Sequence, residues 1–364
     1  MGLSIGIIGL PNVGKSTLFN ALMGKAQAAA SNFPFCTIDP NIGTVPVPDH
    51  RLEVLAKIEK SAKVVPTVVE FVDIAGLVKG ASEGEGLGNQ FLAHIRQVDA
   101  IIEVVRLFKD TNVIHVGGEI DPKSDSATIN TELLIADMQT MDKRLQKESK
   151  EAKNNPQLAK KVVMLEKLKI HIDNGQPARS FGVDSNDEKS WLKEACLLTS
   201  KPILYVANVD EDQLKDTGLI NQLREQLDDV FPAIIAINAK AEMELSQMSL
   251  EDQTVLLEEL GMDEPGLNKI IRSGYKLLNL LTFFTAGVQE ARAWTVKHGA
   301  KAPEAAGVIH TDFQRGFIRA ETVAYNDFVQ YNGWKGSAEA GKSRQEGKGY
   351  IVQDGDVILF RFNV

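Results

Sequence analysis

Eight residues, Gly9-Leu10-Pro11-Asn12-Val13-Gly14-Lys15-Ser16, restrict what this chain can fold into more than any other feature. They fit G-x-x-x-x-G-K-[ST], and they sit between an isoleucine-rich run over 3–10 and a helical pattern from Thr17 to about Met23. A strand, a glycine-bearing turn and a helix in that order let backbone N–H groups close around phosphate oxygens. The helix adds its positive end. The candidate phosphate cradle is therefore Asn12, Val13, Gly14, Lys15, Ser16 and Thr17. Lys15 supplies a point charge to the β and γ phosphates and is the first catalytic candidate, while the Ser16 hydroxyl is a ligand for Mg2+.

The rest of the chain must supply a sheet to carry that loop. Further strand candidates cover 67–74, 100–105, 202–207 and 233–237, each bounded by turn residues and alternating with helical stretches. This rhythm predicts a doubly wound α/β fold. The stretch of about 128–199 departs from it. Leu134, Met138, Met141 and Leu145 form a heptad-like seam, Asn154-Asn155-Pro156 interrupts, and Leu158, Val162, Leu165 and Leu168 resume it. An inserted antiparallel helical hairpin is expected there. Beyond 281 the texture turns to short strand candidates at 308–310, 317–319, 322–325 and 357–360. The expected organisation is a nucleotide-binding domain over 1–280 and a small β-rich domain over 281–364.

Composition narrows the setting. With 364 residues, 43% hydrophobic and 24% charged, the chain has the balance of a globular protein. No apolar run approaches the ~18 to 20 residues that span a bilayer. The N-terminus lacks the pattern of a secretory signal. Two cysteines, Cys36 and Cys196, make neither a disulfide framework nor a four-cysteine zinc site. A cytoplasmic protein without membrane association is expected. The net charge of −9 argues against a general nucleic-acid coat, yet 143–169 holds nine Lys/Arg against three Asp/Glu. That basic projection is either a docking element for a polyanion or a solvated helix face.

Three further elements complete the candidate site. Asp73-Ile74-Ala75-Gly76 closes an apolar strand, where an aspartate holds Mg2+ through water and the Gly76 N–H meets a γ-phosphate. In the segment 32–40, Thr37 is the candidate third metal-side residue. The strand over 202–207 runs into Asn208-Val209-Asp210-Glu211, where guanine-reading proteins carry N-K-x-D. Val209 replaces the lysine and Glu211 the aspartate, whereas an Asn208 amide suits adenine N6 and N7. Asn238-Ala239-Lys240 follows the next strand as the loop over the base. The pocket leans towards ATP, with GTP weaker.

These motifs, together with Gly80-Ala81-Ser82-Glu83-Gly84-Glu85-Gly86-Leu87-Gly88-Asn89 and 312–321, resemble the YchF-type Obg-like ATPases over essentially the whole chain. The resemblance implies slow ATP hydrolysis, occasional GTP use, association with ribosomes (50S or 70S) or structured RNA, and a ubiquitin-like (β-grasp) TGS domain at the C-terminus. A monomer is expected. The chain departs from the usual phosphate-loop NTPase pattern at Leu77, which cannot orient a water as the glutamine expected after Gly76 would. His115, in a glycine-bearing stretch, is the candidate for that task, and His94 reads as a surface or packing residue. By analogy with other phosphate-loop proteins, Asn12 points to K+ as a second cation. The competing readings are a true Obg-type GTPase, a small-molecule phosphotransferase, and a binding adaptor with vestigial catalysis.

Overall fold

The computed structural model describes residues 3–30, 38–39, 41–75, 87–110, 120–227 and 233–363. In chain order the strands are β1 (Ser4–Ile8), β2 (Ile38–Asp39), β3 (Ile42–Pro46), β4 (Lys63–Val65), β5 (Val68–Asp73), β6 (Ala100–Arg106) and β7 (Ile203–Asn208). They continue with β8 (Ala233–Ile237), β9 (Leu280–Ala286), β10 (Glu290–Lys297), β11 (Phe317–Ala324), β12 (Arg344–Glu346) and β13 (Asp356–Phe362). Two compact units result. One consists mainly of Met1–Ala28 and Glu70–Ile270, the other of Val45–Val69 with Ile271–Val364.

The first unit is an α/β layer structure around a seven-stranded sheet in the order β2-β3-β5-β1-β6-β7-β8. From β5 to β8 every pairing is parallel. β1, β6 and β7 are buried along their whole lengths, which is why they read as nearly unbroken apolar runs. β1 lies between β5 and β6. Its C-terminal end therefore opens at the place where strand order reverses, the ordinary crevice for a ligand in such sheets. The helix after it, α1 (Lys15–Ala30), is longer than the pattern ending near Met23 because alanines extend it.

The inserted hairpin is formed by α4 (Pro122–Glu151) and α5 (Pro156–Asp173), after α2 (His50–Glu59) and α3 (Leu87–Gln97). Asn155 caps α5 and Pro156 fills its first turn, so the expected interruption is the bend itself. Lys169 pairs with Asp142 and Lys161 with Glu148, a rising number against a falling one, so the helices are antiparallel. Met141, Leu165 and Leu168 are fully buried between them, with Leu134, Met138 and Leu145 alongside. α4 starts at Pro122 and not near 128, because Asp121 caps a first turn made of Pro122, Lys123, Ser124 and Asp125, which carries no apolar seam residue to mark it. At its base, Asp137 is buried and accepts from Leu198 N (2.7 Å), Thr199 N (2.8 Å) and Thr199 Oγ1 (2.7 Å). That carboxylate fastens α4 to the lead-in of β7.

The hairpin's basic charge is less available than its sequence implies. Arg144 donates to Glu148 Oε1 (3.1 Å) and to the Glu194 carbonyl (2.6 Å), and Lys161 is only 9% exposed beside Glu148 and Glu194. Lys143, Lys147, Lys150 and Lys160 stay exposed.

The second unit is a six-stranded sheet in the order β12-β11-β13-β9-β10-β4, with helices. β4 joins it in parallel, Lys63 opposite Glu290 and Val65 opposite Arg292. α2 packs Leu52, Leu55 and Ala56 against Phe284, Ala293 and Phe328. A segment that precedes β5 is thus built into the same core as the last 90-odd residues. The division at 280/281 expected from texture does not contain this exchange. The expected strand at 308–310 is instead the end of a helix, Ala302–Ile309. Its buried Ala302, Ala305 and Ala306 recur at helical spacing, a signal that outweighs the β-branched Val308-Ile309 pair. The expected strands at 317–319 and 322–325 are one continuous strand, β11.

Candidate functional site

The phosphate loop joins β1 to α1 with three residues in unusual backbone conformations. Gly9 and Gly14 have φ of 151° and 102°, and Asn12 has φ of 63°. A Cβ at Gly14 would lie 2.2 Å from Asn208 Nδ2, so a side chain is excluded there by space as well as by conformation. Asparagine is among the few residues that tolerate the left-handed region. The Gly14 carbonyl accepts from Leu18 N at 2.9 Å, which opens α1 directly after the turn. The helix's first N–H groups therefore face the concave side of the loop. Val13 is buried, and Thr17 is half-buried on the first turn.

Lys15 is 8% exposed, and its Nζ donates to the Leu10 carbonyl at 2.8 Å. Burial lowers its pKa, and the charge of Asp73 opposes that shift. Asp73 ends β5 opposite Ile7 of β1, which brings its carboxylate beside the loop. Burial raises the Asp73 pKa, with Lys15 and a hydrogen bond from Ser16 pulling it back. One oxygen, Asp73 Oδ1, is buried with no hydrogen-bond partner among the described residues. An unpartnered carboxylate oxygen beside a hydroxyl suits a hard divalent cation. No group of three or more His, Cys, Asp or Glu side chains gathers for a metal among the described residues. A cation held here would take most of its shell from water and phosphate, as Mg2+ does. A cavity of about 750 Å³ opens beside Ser16 and Asp73, and the exposed His94 of α3 lines it.

On the base side the structure gives the expected residues different tasks. Asn208 Nδ2 donates to the Val13 carbonyl (3.0 Å), and its Oδ1 accepts from Ala239 N (3.0 Å). The amide expected to read adenine is a strut between the phosphate loop and the turn after β8. Val209 is fully buried, its N–H bonded to the Ile237 carbonyl at 2.8 Å, so it presents no exposed surface. Glu211 is exposed in the turn Glu211–Gln213. Asn238 caps the helix Ala239–Gln247 by accepting from Ala241 N (2.9 Å), and Lys240 is exposed on its first turn. Thr37, Gly76 and His115 lie outside the described residues.

One residue escaped the sequence reading. Arg106, the last residue of β6, is 2% exposed, and its Nη1 donates to the Asn12 carbonyl at 3.5 Å. An arginine closing the apolar strand AIIEVVR was the available signal.

Comparison with known proteins settles the family. The 50S ribosome-binding GTPase family matches residues 4–167, and the YchF GTPase C-terminal family, described as a protein of unknown function, matches 280–363. The ribosome-binding ATPase YchF of Haemophilus influenzae is 53% identical, with 100% of both chains covered. The chain belongs to the YchF family. The ribosome-binding ATPase YchF of Bacillus subtilis is 54% identical, again over 100% of both chains. The Schizosaccharomyces pombe YchF GTPase superposes with a TM-score of 0.89 at 37% identity, over 99% of this chain and 98% of its own. A YchF chain thus joins the phosphate-loop domain to a β-rich C-terminal domain, as expected from the motifs. The relatives' names differ between ATPase and GTPase.

Proposed function

We propose that this chain is a slow, Mg2+-dependent ATPase switch that associates with ribosomes. The observation that carries the reading is the convergence of Lys15, Ser16 and the unpartnered Asp73 oxygen at the mouth of the phosphate loop. Ser16 would hold Mg2+ directly and Asp73 through water, with Thr37 the third candidate; when bound, the ion neutralises charge on the β and γ phosphates. Lys15 and the loop N–H groups bind and orient the triphosphate. His115 is the proposed water-positioning residue, since Leu77 has no group to do so. Asn12 is the proposed side of a K+ site. No helix among the described residues is long and apolar enough to cross a membrane, and a cytoplasmic monomer is the accompanying proposal.

ATP is expected to bind more tightly than GTP, because Val209 and Glu211 stand where guanine-reading proteins carry lysine and aspartate. A charge-assisted hydrogen bond is worth about 1.5–3 kcal/mol, so the preference should be about tenfold to a hundredfold. Parallel titrations of the two nucleotides with Mg2+ measure it. Equal or tighter binding of GTP would favour the GTPase reading.

Ribosome association is proposed from the names of the relatives and from the exposed lysines of the hairpin, four of which are Lys143, Lys147, Lys150 and Lys160. Reversing charge at Lys143, Lys147, Lys150 and Lys160 together should weaken cosedimentation with ribosomes while ATP binding stays intact. If all four meet phosphate, their share of affinity falls about a hundredfold between roughly 50 and 200 mM salt. Full association by the reversed protein would show that the hairpin is a solvated face.

A further inference from the structure

We infer that Arg106 is a positioning residue for phosphoryl transfer, acting through the backbone of the phosphate loop; this rests on the proposed hydrolysis. Two successive carbonyls of the loop are held from behind by buried side chains at the ends of neighbouring strands. Arg106 of β6 reaches the Asn12 carbonyl (3.5 Å), and Asn208 of β7 reaches the Val13 carbonyl (3.0 Å). Asn12 is the residue held at φ of 63°, so the first of these contacts falls on the least relaxed peptide of the loop.

The same guanidinium extends to a second segment. Nε donates to the Phe108 carbonyl (3.2 Å) and Nη2 to the Asp110 carbonyl (3.3 Å), while the Phe108 ring lies 4.2 Å from the guanidinium carbon. The backbone N–H groups of Leu107 and Phe108 both donate to the Asn208 carbonyl, at 2.8 and 3.1 Å. Arg106 and Asn208 therefore form one brace, which fixes the phosphate loop against the chain leaving β6. A buried charge is costly unless its donors are occupied, and a planar fork that meets three carbonyls suits this geometry where a lysine's single ammonium does not.

Holding carbonyls from behind fixes the direction in which the adjoining N–H groups point. Donors aimed at charge that develops only in the transition state raise turnover, whereas ground-state contacts elsewhere in the cradle maintain binding. Loss of the Arg106 fork should consequently appear in turnover and not in affinity, because Lys15, Gly14, Ser16 and the Asn208 strut remain.

The test uses the full-length protein with Mg2+, comparing single-turnover ATP hydrolysis with the affinity for a non-hydrolysable ATP analogue. Arg106→Met should lower hydrolysis about tenfold or more with analogue affinity within about threefold of wild type. Arg106→Lys keeps the charge and one donor and should recover part of the rate. Should the methionine variant not fold, the lysine variant alone must show the same split between rate and affinity. Hydrolysis within twofold of wild type in the methionine variant would overturn the inference. So would rate and affinity falling in equal proportion, which marks a packing role. If wild-type protein hydrolyses no ATP, the proposed activity fails and not the brace.

Discussion

Lys15→Ala should reduce ATP turnover by on the order of a hundredfold to a thousandfold, the loss typical when one donor aimed at developing charge is removed. Triphosphate binding should weaken strongly as well, because the ammonium, held at the Leu10 carbonyl within the influence of the Asp73 charge, is the point charge for the β and γ phosphates. Lys15 is only 8% exposed, so its desolvation cost disappears with it and the melting temperature should stay near wild type. Loss of activity with preserved folding separates a chemical role from a structural one. Single-turnover hydrolysis and thermal melting on the same preparation measure both. Wild-type turnover in this variant would remove Lys15 from the site and, with it, the reading of the loop.

Truncation after residue 280 should give a chain that does not fold as a soluble monomer. It removes β9 and β10, and so leaves β4 without β10, its one neighbour in the sheet among the described residues, and α2 without Phe284, Ala293 and Phe328. Leu52, Leu55 and Val65 are at most 5% exposed in the whole chain. Burying each such side chain contributes about 1.5–3 kcal/mol, so together they contribute about 5–9 kcal/mol, comparable with the whole stability of an ordinary domain. The truncated protein should elute as aggregate, bind an apolar dye and lose its cooperative melt. A monomeric, cooperatively melting 1–280 fragment would show that residues 45–69 settle without the C-terminal strands.

The part of this protein that was legible in its sequence is the part specified by near neighbours. The phosphate loop could be read because its backbone demands glycine at 9 and 14. The bend of the hairpin could be read because Asn155 caps and Pro156 starts a helix. Buried parallel strands such as β1 and β7 announced themselves as apolar runs. What escaped depends on partners far along the chain. Nothing local to Leu52 or Val65 tells which core they enter. Asn208 was recognised as a site residue, yet its struts to Val13 and Ala239 are long-range facts. Arg106 was overlooked because a charged residue at a strand end is ordinary until its burial is known. The helix at 302–309 was misread from its last two residues, although its alanines carried the correct period.

The pairing of β4 with β10 also sets a timetable. Val65 finds its partner in Arg292, 227 positions later. At a synthesis rate of about 5–20 residues per second, β4 and the apolar face of α2 wait on the order of 11 to 45 seconds for their partners to be made. For most of its birth, then, the chain carries an uncovered strand and helix between the phosphate loop and Asp73. The core that α2 and β4 share with the C-terminal strands is therefore completed only late in synthesis, and any pause in translation before residue 290 lengthens the interval in which a nascent chain can associate wrongly.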